Sequence, residues 1–226
     1  MNANATEIKQ TMRFSVVEVE VEVEVEVETG TTTPHHLFID CLSIQKNKEE
    51  KQDIWKDSQY KDLVKLQSNN AGIVGETFIQ RICENSGISA NIDGSKTKKI
   101  GGGDGYINDK KVEIKTAHQG CTSNSFQHEL GENPWNAEYI IFVDISPTCI
   151  YLTIFKNFNE ALYKNGDKCT PYFPTKSITW RKKTGAFKLD TTITINERNI
   201  MNGYTFKIEQ NVDFQKLKEF IELHIK

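Results

Sequence analysis

Gly101-Gly-Gly-Asp104-Gly-Tyr-Ile-Asn108-Asp109-Lys-Lys-Val-Glu113-Ile-Lys115-Thr116 is the stretch of this 226-residue chain that says most about its fold. Asn108-Asp109 stands between two strand-like runs, the mark of a two-residue hairpin turn. A turn there sets Ile107 against Lys110, Tyr106 against Lys111, Gly105 against Val112 and Asp104 against Glu113. Opposed residues have Cβ atoms about 4.5–5.5 Å apart, and like charges in that position destabilise a hairpin. Two carboxylates facing each other therefore require a cation. Glu113 and Lys115 are two residues apart and share a face, while Val112 and Ile114 take the face that a core covers. One ammonium does not neutralise two carboxylates. A divalent cation does, and oxygen donors in a partly open site suit Mg²⁺.

Outward from the hairpin, the preceding segment reads as a helix from about Ala71 to Asn85, ending at Gly87 as a C-cap. Glu76, Ile79 and Cys83 share one stripe of it, so Glu76 projects from the face that packs on a sheet, and Gly72 and Gly75 permit close approach. A carboxylate there is costly without a partner. It either adds an acid to the Asp104–Glu113 site or reaches solvent at the edge of the stripe. A further helical region is expected at about 45–67, after a turn at Gly30–Pro34. Downstream, Tyr139–Asp144 and Ile150–Phe155 read as strands separated at Ser146-Pro147, with a short helix around Phe158–Tyr163. Thr191–Ile195 and Tyr204–Ile208 read as strands. Phe214–Ile225 reads as an amphipathic helix with Phe214, Leu217, Phe220, Ile221 and His224 near one stripe. The order predicts one α/β or α+β domain over residues 1–226, built around a mixed sheet.

Composition is that of an ordinary globular chain, and no apolar run is long enough to cross a membrane. No secretory signal is evident at Met1–Gln10, and five widely spaced cysteines with no C-x-x-C pair point to reduced thiols in a cytosolic protein. Net charge is −3, but residues 12–28 carry six Glu and one Arg, leaving 27 basic against 25 acidic side chains elsewhere. Residues 17–28 alternate Val and Glu strictly, which predicts a strand with one apolar and one acidic face. That acidic face is either a solvated outer surface or one that repels DNA.

Two stretches have residues suited to DNA. The loop after Lys115 carries His118, Gln119, Asn124, Gln127 and His128; Asn and Gln suit adenine edges in the major groove, and a solvated loop is the plainer alternative. Its histidines have no compact metal-ligand spacing, so zinc is not expected. The second region, about 165–200, is loop-rich and basic, with seven basic side chains and one acid between Lys164 and Lys188. Lys176, Ser177, Trp180, Arg181, Lys182 and Lys183 are the expected contacts there, cations with an aromatic being a phosphate-and-base surface. The Gly101–Gly103 run is not a nucleotide loop, because it leads into a strand rather than a helix and has no following Lys-Ser/Thr.

Asp104, Glu113-Ile114-Lys115 and the preceding helix with Glu76 together resemble the PD-(D/E)XK nucleases, and among them the type II restriction endonucleases, over about residues 72–155. One departure is Gly103, where the family nominally has proline before the Asp. The resemblance implies a restriction-endonuclease-like core, a central mixed sheet flanked by helices. It implies Mg²⁺ held by Asp104, Glu113 and the backbone carbonyl of Ile114, with Lys115 holding or helping to deprotonate the attacking water and Glu76 near the site. It further implies hydrolysis of double-stranded DNA to 5′-phosphate ends, a homodimer matching a palindromic target, and a restriction-modification system in a bacterial cytoplasm. A repair or structure-specific nuclease would use the same cluster. A non-catalytic DNA-binding module would not depend on Lys115.

Overall fold

A computed structural model describes residues 33–92, 103–130, 137–156, 178–181 and 186–226. The Val/Glu segment at 12–28 and the short helix expected at 158–163 lie outside them. The chain divides into two compact units at Lys46–Asn47.

Helix α1, Pro34–Gln52, begins where Pro34 pre-sets the helical φ and Thr33 Oγ1 accepts the His36 N–H at 3.4 Å. It starts earlier than the helix expected at 45–67 and stops sooner. Past Gln52 the chain turns, because Asp53 Oδ1 takes the Trp55 N–H at 2.9 Å, a local bond that competes with helix continuation. Only a single 3₁₀ turn, Leu63–Lys65, follows.

In the second unit, α2 (Ser68–Ser86) ends at Gly87, whose φ of 65° is the left-handed cap read from sequence. Strands β1 (Ala90–Ile92), β2 (Gly105–Ile107) and β3 (Lys110–His118) follow. Next come β4 (Ser125–Leu130), β5 (Tyr139–Ile145) and β6 (Ile150–Lys156). After them are β7 (Ile178–Arg181), β8 (Ala186–Thr192), α3 (Ile193–Met201), β9 (Thr205–Ile208) and α4 (Phe214–His224). The central sheet is six-stranded and mixed, in the order β1-β2-β3-β5-β6-β9. Only β3 and β5 run parallel. A second antiparallel sheet has the order β4-β8-β7.

Period-two alternation sorts the layers. On one face of the central sheet Val112, Ile114, Ile141, Val143, Leu152 and Ile154 pack with Ile79, Ile82 and Cys83 of α2 and Leu217 and Ile221 of α4. On the other, Ile140, Phe142 and Phe155 pack with Leu130 and Leu189 of the second sheet and Ile195 of α3. The sequence expectation of a mixed sheet flanked by helices holds. Thr191–Ile195 is a different matter. Its β-branched run reads as strand, yet the strand ends at Thr192, whose Oγ1 caps α3 by accepting the Ile195 N–H at 3.2 Å. In α4, Leu217 and Ile221 are buried as the stripe requires, while Phe214 is exposed.

Candidate active site

The Asn108-Asp109 turn is as the sequence reads. Both residues have positive φ, 48° and 61°, the requirement of the hairpin turn that suits twisted strands. The register Ile107–Lys110, Tyr106–Lys111 and Gly105–Val112 follows. Beyond Gly105 the ladder does not continue straight. Asp104 N–H donates to the Val112 carbonyl at 2.8 Å, out of register with the pairs above it. That leaves the Ile114 N–H on this edge of β3 with no strand partner, and the Asp104 side chain supplies one: Oδ2 accepts it at 2.7 Å. Asp104 is thus held against the backbone between Glu113 and Lys115 rather than simply opposite Glu113. A strand residue turns its N–H and C=O to the same side, so the Ile114 carbonyl points to this same edge.

Glu113 and Lys115 are joined directly, Lys115 Nζ donating to Glu113 Oε1 at 2.6 Å. Asp104 and Glu113 are 5 % and 8 % exposed, so both carboxylates are largely withdrawn from water, while the Lys115 side chain retains 25 %. The all-oxygen chemistry of Asp104, Glu113 and the Ile114 carbonyl, at a place where both carboxylates are largely withdrawn from water, fits a hard divalent cation that retains several waters. Glu76 does not complete a three-carboxylate cluster: no set of three Asp, Glu, His or Cys side chains gathers to hold a metal among the described residues. Alternation explains why. Helix α2 covers the Val112–Ile114 face, with the Cα of Gly75 pressed on Thr116, whereas Glu113 and Lys115 project from the opposite face. Glu76 is half-buried on α2.

The residues expected to read DNA are mostly committed elsewhere. Gln119 is buried, and its amide donates to Ser123 O at 2.9 Å and Asn124 Oδ1 at 3.3 Å, holding the turn that precedes β4. His118 falls on the α2 side of β3; its Nδ1 lies 3.0 Å from Gln119 O and its ring packs edge-on against the fully buried Trp55. Trp55 Nε1 donates to the same Gln119 carbonyl at 3.1 Å. Asn124 and Gln127 are exposed, with Gln127 Nε2 donating to Asp190 Oδ1 at 3.0 Å on the outer side of the second sheet. The polar loop expected there is a turn only as far as Asn124; from Ser125 it is strand β4, hidden from a pattern reading because its outer face is all polar. Trp180 and Arg181 lie on β7, paired with Phe187 and Ala186, and their side chains are outside the described residues, as are Lys176, Ser177, Lys182 and Lys183.

A second polar cluster bridges the two sheets. Asp144 accepts from or shares hydrogen with His128 Nε2 at 2.5 Å, Thr191 Oγ1 at 2.7 Å and Asn196 Nδ2 at 2.8 Å. All four residues are 1 % exposed. No substrate reaches them, so the cluster joins β4, β5, β8 and α3 rather than performing chemistry. Sequence reading missed it because its members lie on four separate elements. Gly103 was read only as a departure from a motif, and its φ of 85° is visible only in the folded backbone.

No helix among the described residues is long and apolar enough to cross a membrane. No protein-family model, curated protein or solved structure matches the chain.

Proposed function

We propose that this protein is a Mg²⁺-dependent endonuclease acting on double-stranded DNA, of the PD-(D/E)XK type and most like its type II restriction enzymes. The observation that carries the reading is the pairing of buried Asp104 and Glu113 with Lys115 at the edge of β3, where Asp104 takes the Ile114 N–H. Asp104, Glu113 and the Ile114 carbonyl would hold the ion. Mg²⁺, when bound, supplies Lewis acidity and neutralises charge on the scissile phosphate. The chain's own groups do the rest. The hydrogen bond from Ile114 to Oδ2 fixes the Asp104 carboxylate at the edge of β3. Glu113 holds the Lys115 ammonium at the site mouth. From there Lys115 orients an attacking water and stabilises the negative charge that grows on the phosphate oxygens during in-line attack. The product of such attack is a 5′-phosphate end. A homodimer on a palindromic target, in the cytoplasm of a bacterium with a restriction-modification system, completes the proposal.

The test is a digest of long duplex DNA with Mg²⁺ and with EDTA, alongside Lys115→Ala. Discrete bands that need Mg²⁺ and vanish in the variant support a site-specific endonuclease. A smear, or cutting confined to branched DNA, assigns a structure-specific nuclease. Binding without cleavage on many duplexes removes the catalytic reading.

A further inference from the structure

Asp104 owes its place to the residue before it. Gly103 has a φ of 85°, in the region that L side chains rarely adopt. Space is closed as well: a Cβ on Gly103 would stand 2.9 Å from the Val112 carbonyl oxygen and 3.6 Å from Ala137 Cβ. The first of these neighbours is backbone of β3 and cannot swing aside. That same Val112 carbonyl receives the Asp104 N–H at 2.8 Å. Two independent features of one residue, its dihedral and its missing side chain, thus allow the chain to pass close over Val112 and then deliver Asp104 Oδ2 to the Ile114 N–H.

We propose that Gly103 is a positioning residue for the Asp104–Glu113 site: its left-handed backbone and close contact with Val112 set the Asp104 carboxylate at the edge of β3. The inference rests on the metal-site reading above, and deepens it by naming what shapes the site. Proline, nominal at this place in the nucleases the chain resembles, has φ fixed near −65° and cannot take this backbone. Restoring it therefore damages the site.

Gly203 provides the control. It too has positive φ, 78°, but a Cβ there meets nothing within 4 Å. Gly203→Ala carries the dihedral penalty without the collision and away from β3. The experiment titrates Mn²⁺ by calorimetry into the full chain and into Gly103→Ala, Gly103→Asn, Gly203→Ala and Asp104→Ala, and follows hydrogen exchange at the Ile114 amide in each. Asn accepts left-handed backbone more readily than Ala, which gives a milder variant should Gly103→Ala fail to fold. Expected are a loss of Mn²⁺ affinity of at least about tenfold in the Gly103 variants, faster Ile114 exchange by a similar factor, and wild-type values of both in Gly203→Ala. Wild-type affinity and protection in the Gly103 variants would overturn the inference, as would equal losses in Gly203→Ala. If the wild-type chain binds Mn²⁺ no better than Asp104→Ala, the metal reading falls, and Ile114 exchange alone decides on Gly103: faster in the Gly103 variants supports positioning, unchanged refutes it.

Discussion

Replacing Gly75 by alanine tests whether α2 is seated on β3 as closely as the fold requires. The new methyl would lie 1.8 Å from Thr116 Oγ1, 2.9 Å from Thr116 Cβ and 3.1 Å from Thr116 Cγ2. The first distance is far inside contact, so either the helix lifts or Thr116 changes rotamer. Overpacking of a seated interface costs about 1–3 kcal/mol, and the overlap places this case at the upper end. The helix gains a better helix former, which returns roughly 1 kcal/mol at most. A net loss of about 1–2 kcal/mol remains, or a fall in Tm of about 2–8 °C for a chain this size. Thr116 supplies the internal check. Its Oγ1 is buried with no hydrogen-bond partner, so Thr116→Ala alone is expected to be near neutral, since it removes an unsatisfied polar atom. In the double variant the 1.8 Å overlap is gone and the 2.9 Å contact with Cβ stays, so about half the loss should return. The assay is urea unfolding of the four chains, followed by circular dichroism. A Gly75→Ala chain within about 0.5 kcal/mol of wild type, or strictly additive losses, would refute close seating of α2 on Thr116.

Four further outcomes are expected. Asp144→Ala strips the acceptor from His128, Thr191 and Asn196 at once and should cost about 3–5 kcal/mol by urea unfolding, a loss under 1 kcal/mol showing the cluster to be incidental. Burial pushes the Cys83 thiol from 9.0 up to about 12, so at pH 8 the native chain should alkylate at exposed Cys41 and Cys121 and not at Cys83. Because the folded chain holds that proton more tightly than the unfolded one, its contribution to stability is complete below pH 9 and falls as pH rises from there toward 12, which alkaline unfolding series of wild type and Cys83→Ala should resolve. Lys115→Ala should lower cleavage by about 10²–10⁴-fold while gel shifts on the same duplex persist.

Much of the centre was legible in the residues, and for physical reasons. Asn108-Asp109 can accept positive φ, so the turn and its register follow from local chemistry alone. The apolar runs of β5 and β6 and the glycine cap of α2 are equally local. What escaped depends on partners distant in sequence. Strand β4 has a Ser-x-Gln-x-Glu outer face that reads as loop until β8 pairs with it. Residues Ile193 to Ile195 read as strand until the Thr192 hydroxyl is seen to cap α3. Gln119 looks like a base reader until its amide is found closing a turn. Glu76 was expected beside the Asp104–Glu113 site, but α2 covers the side of β3 opposite Glu113 and Lys115.

The route of the chain between the two sheets has a consequence for how the protein can come apart. The central sheet draws its strands from three separated stretches, β1–β3, β5–β6 and β9, and the second sheet fills the gaps with β4 and β7–β8. Neither sheet is encoded by a continuous piece of sequence. A protease cut or truncation between β3 and β9 therefore leaves both incomplete, and no fragment inherits an intact core. The parallel β3–β5 pair, which carries Glu113 and Lys115, closes only after the chain has travelled out to the second sheet and back. Slowest-exchanging amides in both sheets should accordingly share one opening free energy, and the site's central strand should be among the last parts of the molecule to form and the first to reveal that any other part has been lost.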